Sequence, residues 1–100
     1  GSVTGVLGVP EGFTPTDDFE VEISIPTLDD EVETEVEVES DEELSGNPFA
    51  FHLNGVPAGA YTVTFDVEYG DQTATFTAPV TVIEGETADM GAVPVTGITF

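Results

Sequence analysis

The sequence predicts an all-β fold, a seven-stranded, antiparallel-rich β-sandwich, and three observations lead there. No stretch of the 100 residues carries apolar side chains at the three-and-four spacing of an amphipathic helix. Two-residue alternation, which sends successive side chains to opposite faces of a strand, dominates instead. Val and Thr recur throughout, and 11 Gly and 7 Pro punctuate the alternating runs. Seven short strands separated by turns pack as two sheets face to face, with another immunoglobulin-like sandwich as the alternative. At 39% apolar content, residues 1–100 suffice for one core and make one domain.

Taken in order, residues 2–9 supply a terminal strand. In residues 19–25, Phe19, Val21, Ile23 and Ile25 alternate with Glu20, Glu22 and Ser24, and Pro26 closes the run. Residues 31–39 alternate without error, so Val32, Thr34, Val36 and Val38 face the core while Glu31, Glu33, Glu35, Glu37 and Glu39 face out. A polar loop over 40–47 precedes a short strand at 48–54 with Phe49, Phe51 and Leu53 inward. Residues 60–69 and 72–83 meet across Gly70-Asp71, a dipeptide suited to a two-residue hairpin turn. Pairing Tyr69 with Gln72 sets Val67 against Ala74, Phe65 against Phe76, Val63 against Ala78 and Tyr61 against Val80, so both strands bury the same face. Pro79 then falls opposite Thr62, where a bulge or the end of pairing is expected. In residues 91–100, Val93 and Val95 are out of phase with Ile98 and Phe100, which predicts a bulge at Gly97.

The charge excludes more functions than any motif proposes. Twenty-one Asp and Glu stand against no Lys or Arg, giving a net charge of −21, where average usage would supply about eleven basic residues. Nucleic acid and anionic membrane are excluded as partners, because phosphates and anionic headgroups both require cations from the protein. With no Cys, disulfides, thiolate metal sites and thiol catalysis are ruled out. No apolar run approaches a membrane span, and no signal peptide opens the chain, so a mature or excised piece of a longer protein is expected. Complete loss of basic residues fits adaptation to high salt, and it equally fits deliberate redesign of charge for solubility.

Gly1-Ser2-Val3-Thr4-Gly5, Phe49-Ala50-Phe51 and Gly55-Val56-Pro57-Ala58-Gly59-Ala60-Tyr61-Thr62-Val63 together resemble the carboxypeptidase regulatory-like family over nearly the whole chain. The resemblance implies a transthyretin-like, seven-stranded β-sandwich acting as a non-catalytic module of a secreted or cell-surface protein. Its partners would be neighbouring domains of a larger surface protein or like subunits. In this motif Gly59 is placed to take a backbone angle that other residues avoid, and Tyr61 opens the long hairpin pointing inward. The Asp-Gly that often precedes the mid-chain aromatic is Asn47-Pro48 here. The related Cna B-type pilus domain builds an internal isopeptide bond from a lysine, which this chain lacks.

Outward glutamates two apart on one strand lie near 7 Å, where screened repulsion is on the order of thermal energy per adjacent pair. If Glu20, Glu22, Asp66 or Glu68 join the same face, the repulsion grows until counterions from the medium matter to stability. That predicts a structural or adhesive, cation-neutralised surface that needs no cofactor. The alternative is Ca²⁺, which takes six to eight oxygens, held by loops gathered at one end of the sandwich. Strands running alternately up and down would bring Asp17, Asp18, Asp41, Glu42, Glu43 and Asp71 to one end, the calcium candidates, and Asp29, Asp30, Glu84, Glu86 and Asp89 to the other. No EF-hand spacing supports this; the signal is abundance of carboxylates.

Catalysis finds no footing. His52, the single histidine, sits on the outward phase between Phe51 and Leu53, and no other base serves a nucleophile. Glycoside hydrolysis needs a cleft with aromatic platforms, and Trp is absent while Tyr61 and Tyr69 point inward by phase. A carbohydrate-binding surface would need exposed aromatic rings for the same reason. A last possibility is that residues 2–9 or 91–100 complete a neighbouring subunit's sheet in an extracellular fibre.

Overall fold

Alternation in the chain becomes register in the sheets. The computed structural model describes residues 1–28, 32–39 and 48–100, and these hold seven strands in two sheets and no helix. The strands are β1 (Ser2–Gly8), β2 (Phe19–Ser24), β3 (Glu33–Val38), β4 (Ala50–Leu53), β5 (Gly59–Tyr69), β6 (Gln72–Val82) and β7 (Thr87–Pro94). One sheet has the order β4-β1-β7 and the other β3-β2-β5-β6. β1 runs antiparallel to β4 and parallel to β7; β2 runs antiparallel to both β3 and β5, and β5 to β6.

The inner faces of the two sheets meet in one apolar core, a β-sandwich-like arrangement. Phe19, Val21 and Ile23 of β2, Val36 and Val38 of β3, Val63, Phe65 and Val67 of β5, and Val3, Leu7, Phe51 and Leu53 of the other sheet are all buried. No polar or charged residue is buried among the described residues. Phe65 joins the sheets, stacked on Phe76 of β6 at 4.8 Å between ring centroids and edge-on to Phe51 of β4 at 5.6 Å. Gly5 of β1 lies opposite Phe51, and a Cβ there would fall 2.5 Å from Phe51 Cζ, so this ring occupies the space that only glycine leaves. At one end Phe13, Phe19, Tyr69 and Phe100 pack edge to face or tilted, and the Tyr69 hydroxyl accepts from the Thr16 N–H at 3.1 Å.

The segment over 55–61 has a clear local cause. Val56 is fully buried and exchanges backbone hydrogen bonds with Gly1, whose ammonium donates to the Val56 carbonyl at 2.8 Å. Gly59 holds a φ of 152°, a region nearly closed to residues with a Cβ, and this lets the half-buried Tyr61 fold back so that its hydroxyl donates to the Pro57 carbonyl at 2.8 Å.

The β5–β6 hairpin adopts the register expected from the sequence, including Phe65 with Phe76 and Tyr69 with Gln72. Pro79 does not break it: pairing continues through Thr62 and Pro79 to Gly59 and Val82 without a shift. A two-residue turn makes Tyr69 and Gln72 a hydrogen-bonded pair, and alternation then makes Thr62 and Pro79 a pair whose backbone groups point away from one another. Because β6 is an outermost strand, the missing Pro79 N–H faces the open edge and no ladder bond is lost.

The C-terminal expectation needs the larger correction. The last strand is Thr87–Pro94 rather than 91–100, and its irregularity falls at Met90-Gly91 rather than at Gly97. The register with β1 steps from Thr4 and Asp89 to Val6 and Ala92, and the Gly91 N–H donates to Asp89 Oδ1 at 2.9 Å. Beyond Pro94 the chain leaves the sheet. Gln72 exchanges two 2.8 Å hydrogen bonds with the Thr99 backbone, and this places Phe100 against Phe13. Ile98 is half-buried against the core and Phe100, though 42% exposed, keeps ring contacts with Phe13, Phe19 and Tyr69, so neither follows the strand phase of Val93. Ile83, expected within the sixth strand, lies just past it and is 61% exposed.

Candidate functional site

The outer face of the β3-β2-β5-β6 sheet is built by the same residues that build its core. With Phe19, Val21 and Ile23 committed inward, Glu20 and Glu22 must point out, and the same alternation in β3 and β5 turns out Glu33, Glu35, Glu37, Asp66 and Glu68. Register then aligns them. Glu37, Glu20 and Glu68 form one row across three strands, and Glu35, Glu22 and Asp66 form the next. Glu33 lies beyond, opposite Ser24. These seven carboxylates stand on the outer face with no Lys or Arg anywhere in the chain to meet them. Like charges directly opposite on neighbouring strands repel. On the β6 side the field ends at a row of threonines, where Thr75 Oγ1 donates to Asp66 Oδ1 at 2.8 Å.

Three of these groups converge most closely. Oxygen atoms of Glu20, Glu35 and Glu37 lie within 4.8 Å of one another, the one such trio of possible metal ligands among the described residues. Glu35 Cα is opposite Glu22, but its carboxyl approaches its diagonal neighbour Glu20. The Glu35 carboxyl is held above its ordinary value of 4.5, first by the charge of Glu20, then by a hydrogen bond with Glu37 that favours the protonated form, with desolvation, a hydrogen bond with Glu20 and the charge of Glu37 adding in the same direction.

A carboxyl whose pKa is raised on folding binds its proton more tightly in the native state than in the unfolded chain, so stability falls as pH rises through the interval from 4.5 to the raised value. The penalty is complete above that interval and absent below it. Glu35→Gln is therefore expected to raise the melting temperature at pH 7 and to leave it unchanged near pH 3.5; an equal shift at both pH values would remove charge as the cause.

Of the calcium candidates, Asp17, Asp18 and Asp71 do come together around the β5–β6 turn, in a depression of about 380 Å³ shared with Glu20 and Glu68. A Cβ on Gly70 would meet Asp17 Oδ2 at 2.9 Å, and the Gly70 N–H donates to the Asp18 carbonyl at 3.3 Å. Asp41, Glu42 and Glu43, the rest of that calcium set, lie outside the described residues, as do Asp29, Asp30, Glu31 and the loop at 40–47. Glu84, Glu86 and Asp89 are exposed. The Glu20, Glu35 and Glu37 trio was missed by sequence reasoning that read each strand alone; aligning the alternating runs 19–25 and 31–39 as neighbours would have found it. His52 is exposed on β4 and paired with Thr4 of β1 in the three-stranded sheet, so it does not belong to the acidic sheet.

No family model matches the chain, and neither a curated protein nor a solved structure does.

Proposed function

We propose that the chain is a non-catalytic structural or adhesive module of a secreted or cell-surface protein, a transthyretin-like β-sandwich whose acidic face is neutralised by cations from the medium. The observation that carries this reading is the cross-strand register of seven carboxylates in a chain with no Lys or Arg. A fold that aligns like charges this closely depends on ions it does not itself supply, and an extracellular medium supplies them continuously. The resemblance of residues 1–5, 49–51 and 55–63 to the carboxypeptidase regulatory-like family supports the transthyretin-like topology and the spacer role.

A calcium-dependent binding module is the second reading, favoured by the convergence of Glu20, Glu35 and Glu37. Three protein oxygens leave the remaining calcium coordination to water or to a bound partner. Melting temperatures in NaCl and CaCl₂ at matched ionic strength separate the two. Screening alone predicts equal stabilisation by both salts. A calcium site predicts a further rise at micromolar to millimolar Ca²⁺, saturating with concentration and lost in Glu35→Gln. A melting temperature that ignores ionic strength altogether would overturn both readings.

A further inference from the structure

We propose that the open edge of β6 is a docking strand for an extended segment of alternating apolar and basic residues on a partner protein. This goes beyond cation neutralisation and does not depend on it. β6 is an outermost strand of 11 residues, none of them charged, in a chain where 21 of 100 residues are acidic. Long exposed edges are ordinarily blunted by charge, bulges or a covering element, because their unpaired backbone groups template another strand. β6 has Pro79 for protection and, at its Gln72–Ala74 end, the C-terminal segment, where Gln72 bonds Thr99 and Gly97 approaches Ala74; along the rest no described strand pairs with its outer side.

The backbone groups on offer follow from the hairpin register. With Tyr69 and Gln72 bonded across the turn, alternation points the C=O groups of Thr73, Thr75, Thr77, Pro79 and Thr81 at the open edge, and the N–H groups of the four threonines. Beside this edge runs a groove of about 520 Å³ between β6 and β7, mostly apolar, with half-buried Val80, Ala88 and Met90 and buried Val93 in its lining together with exposed Thr81 and Asp89. A strand added to β6 places every second side chain over that groove, which calls for apolar residues there. The other edges do not offer this. Val36 and Val38 of β3 are already 5% and 0% exposed, β4 has four residues, and β7 is irregular at Met90-Gly91 and carries Asp89.

Charge selects the partner. Outward side chains of an added strand would lie beside the threonine row, about 10 Å from the β5 row that carries Asp66 and Glu68, a distance comparable with the screening length at physiological salt. Asp66 and Glu68 also line a depression with Glu20 and Glu22, so the attraction extends across the sheet. Basic side chains are favoured at these positions. A second copy of this chain would bring another 21 acidic residues and no Lys or Arg, which makes self-pairing the less favourable use of the edge.

The probe is a capped ten-residue peptide of alternating lysine and valine, titrated calorimetrically into the full chain at about 0.15 M NaCl. Saturable one-to-one binding is expected, with amide shifts in Thr73, Thr75, Thr77 and Thr81. Thr77→Pro puts a second proline at the phase Pro79 already tolerates, so the fold should persist while affinity falls by about tenfold or more. The same peptide N-methylated at alternate residues keeps its charge and apolar surface but cannot form the ladder, and it should bind at least about tenfold more weakly to the unaltered chain; this arm stands even if Thr77→Pro does not fold. Equal binding of the methylated peptide would reduce the attraction to the acidic face and overturn the proposal. So would absence of binding, or a dimer of the chain alone that Thr77→Pro dissolves.

Discussion

Replacing Phe65 by alanine is expected to cost about 3–5 kcal/mol of folding stability. Phe65 is fully buried on β5, stacked on Phe76 and edge-on to Phe51 of the opposite sheet, so it is the ring through which the two sheets hold one another. Its loss removes the transfer energy of a large side chain and opens a cavity whose walls, Gly5 and Phe51 on one side and the β5–β6 hairpin on the other, are set by strand pairing and can collapse only partly. Small domains have about 5–15 kcal/mol in total, so the variant would be marginal. Urea unfolding should show a lower midpoint with an unchanged slope. Phe76→Ala should cost less, because Phe76 is only half-buried on the outermost strand. A Phe65→Ala midpoint within error of the parent would refute a shared core between the sheets.

Neutralising the centre of the acidic face acts in the opposite direction. Glu20→Gln, Glu22→Gln, Glu35→Gln and Glu37→Gln together keep the outward side-chain shapes on β2 and β3 while deleting the closest like-charge neighbours, two of them directly cross-strand and the others along each strand. At low ionic strength the fourfold variant is expected to melt on the order of 10 °C higher than the parent. In 1 M NaCl, where screening acts over about 3 Å, the difference should nearly vanish. That convergence identifies the effect as electrostatic, since a gain from better strand propensity would persist in salt. If the variant is no more stable at 10 mM salt, repulsion across this face is not what the counterions relieve, and the cation-neutralised reading fails with it.

Legibility followed the physics of each segment. The runs 19–25, 32–39 and 60–69 alternate strictly because one face of each turns to the apolar core and the other to solvent, even in β3 at the sheet edge, and their inward residues were readable from phase alone. The hairpin register was readable because a two-residue turn leaves few pairings that keep both apolar sets on one face. Residues 87–94 were not. Thr87-Ala88-Asp89-Met90 is weakly apolar, as an outermost strand beside a shallow groove can be, and its parallel partner β1 lies some 80 residues earlier, so no local pattern announces the pairing. The glutamate ladder of β3 was plain, but the trio Glu20, Glu35 and Glu37 depends on diagonal contact between two strands, information that neither run contains separately.

By itself the sequence determined that this protein is built from strands, which side chains turn inward along most of them, and that its negative charge is met by no Lys or Arg of its own. These are properties of two-residue periodicity and composition, and they are local. The tertiary structure alone decided that β1 joins β7 in parallel, that the exposed Phe100 ring rests on Phe13, that the carboxylates of three strands stand in common rows, and that uncharged β6 is left at an open edge. Those outcomes depend on which strands become neighbours, and that choice is made by closing one apolar core between two sheets, a condition that no single segment of the chain can express.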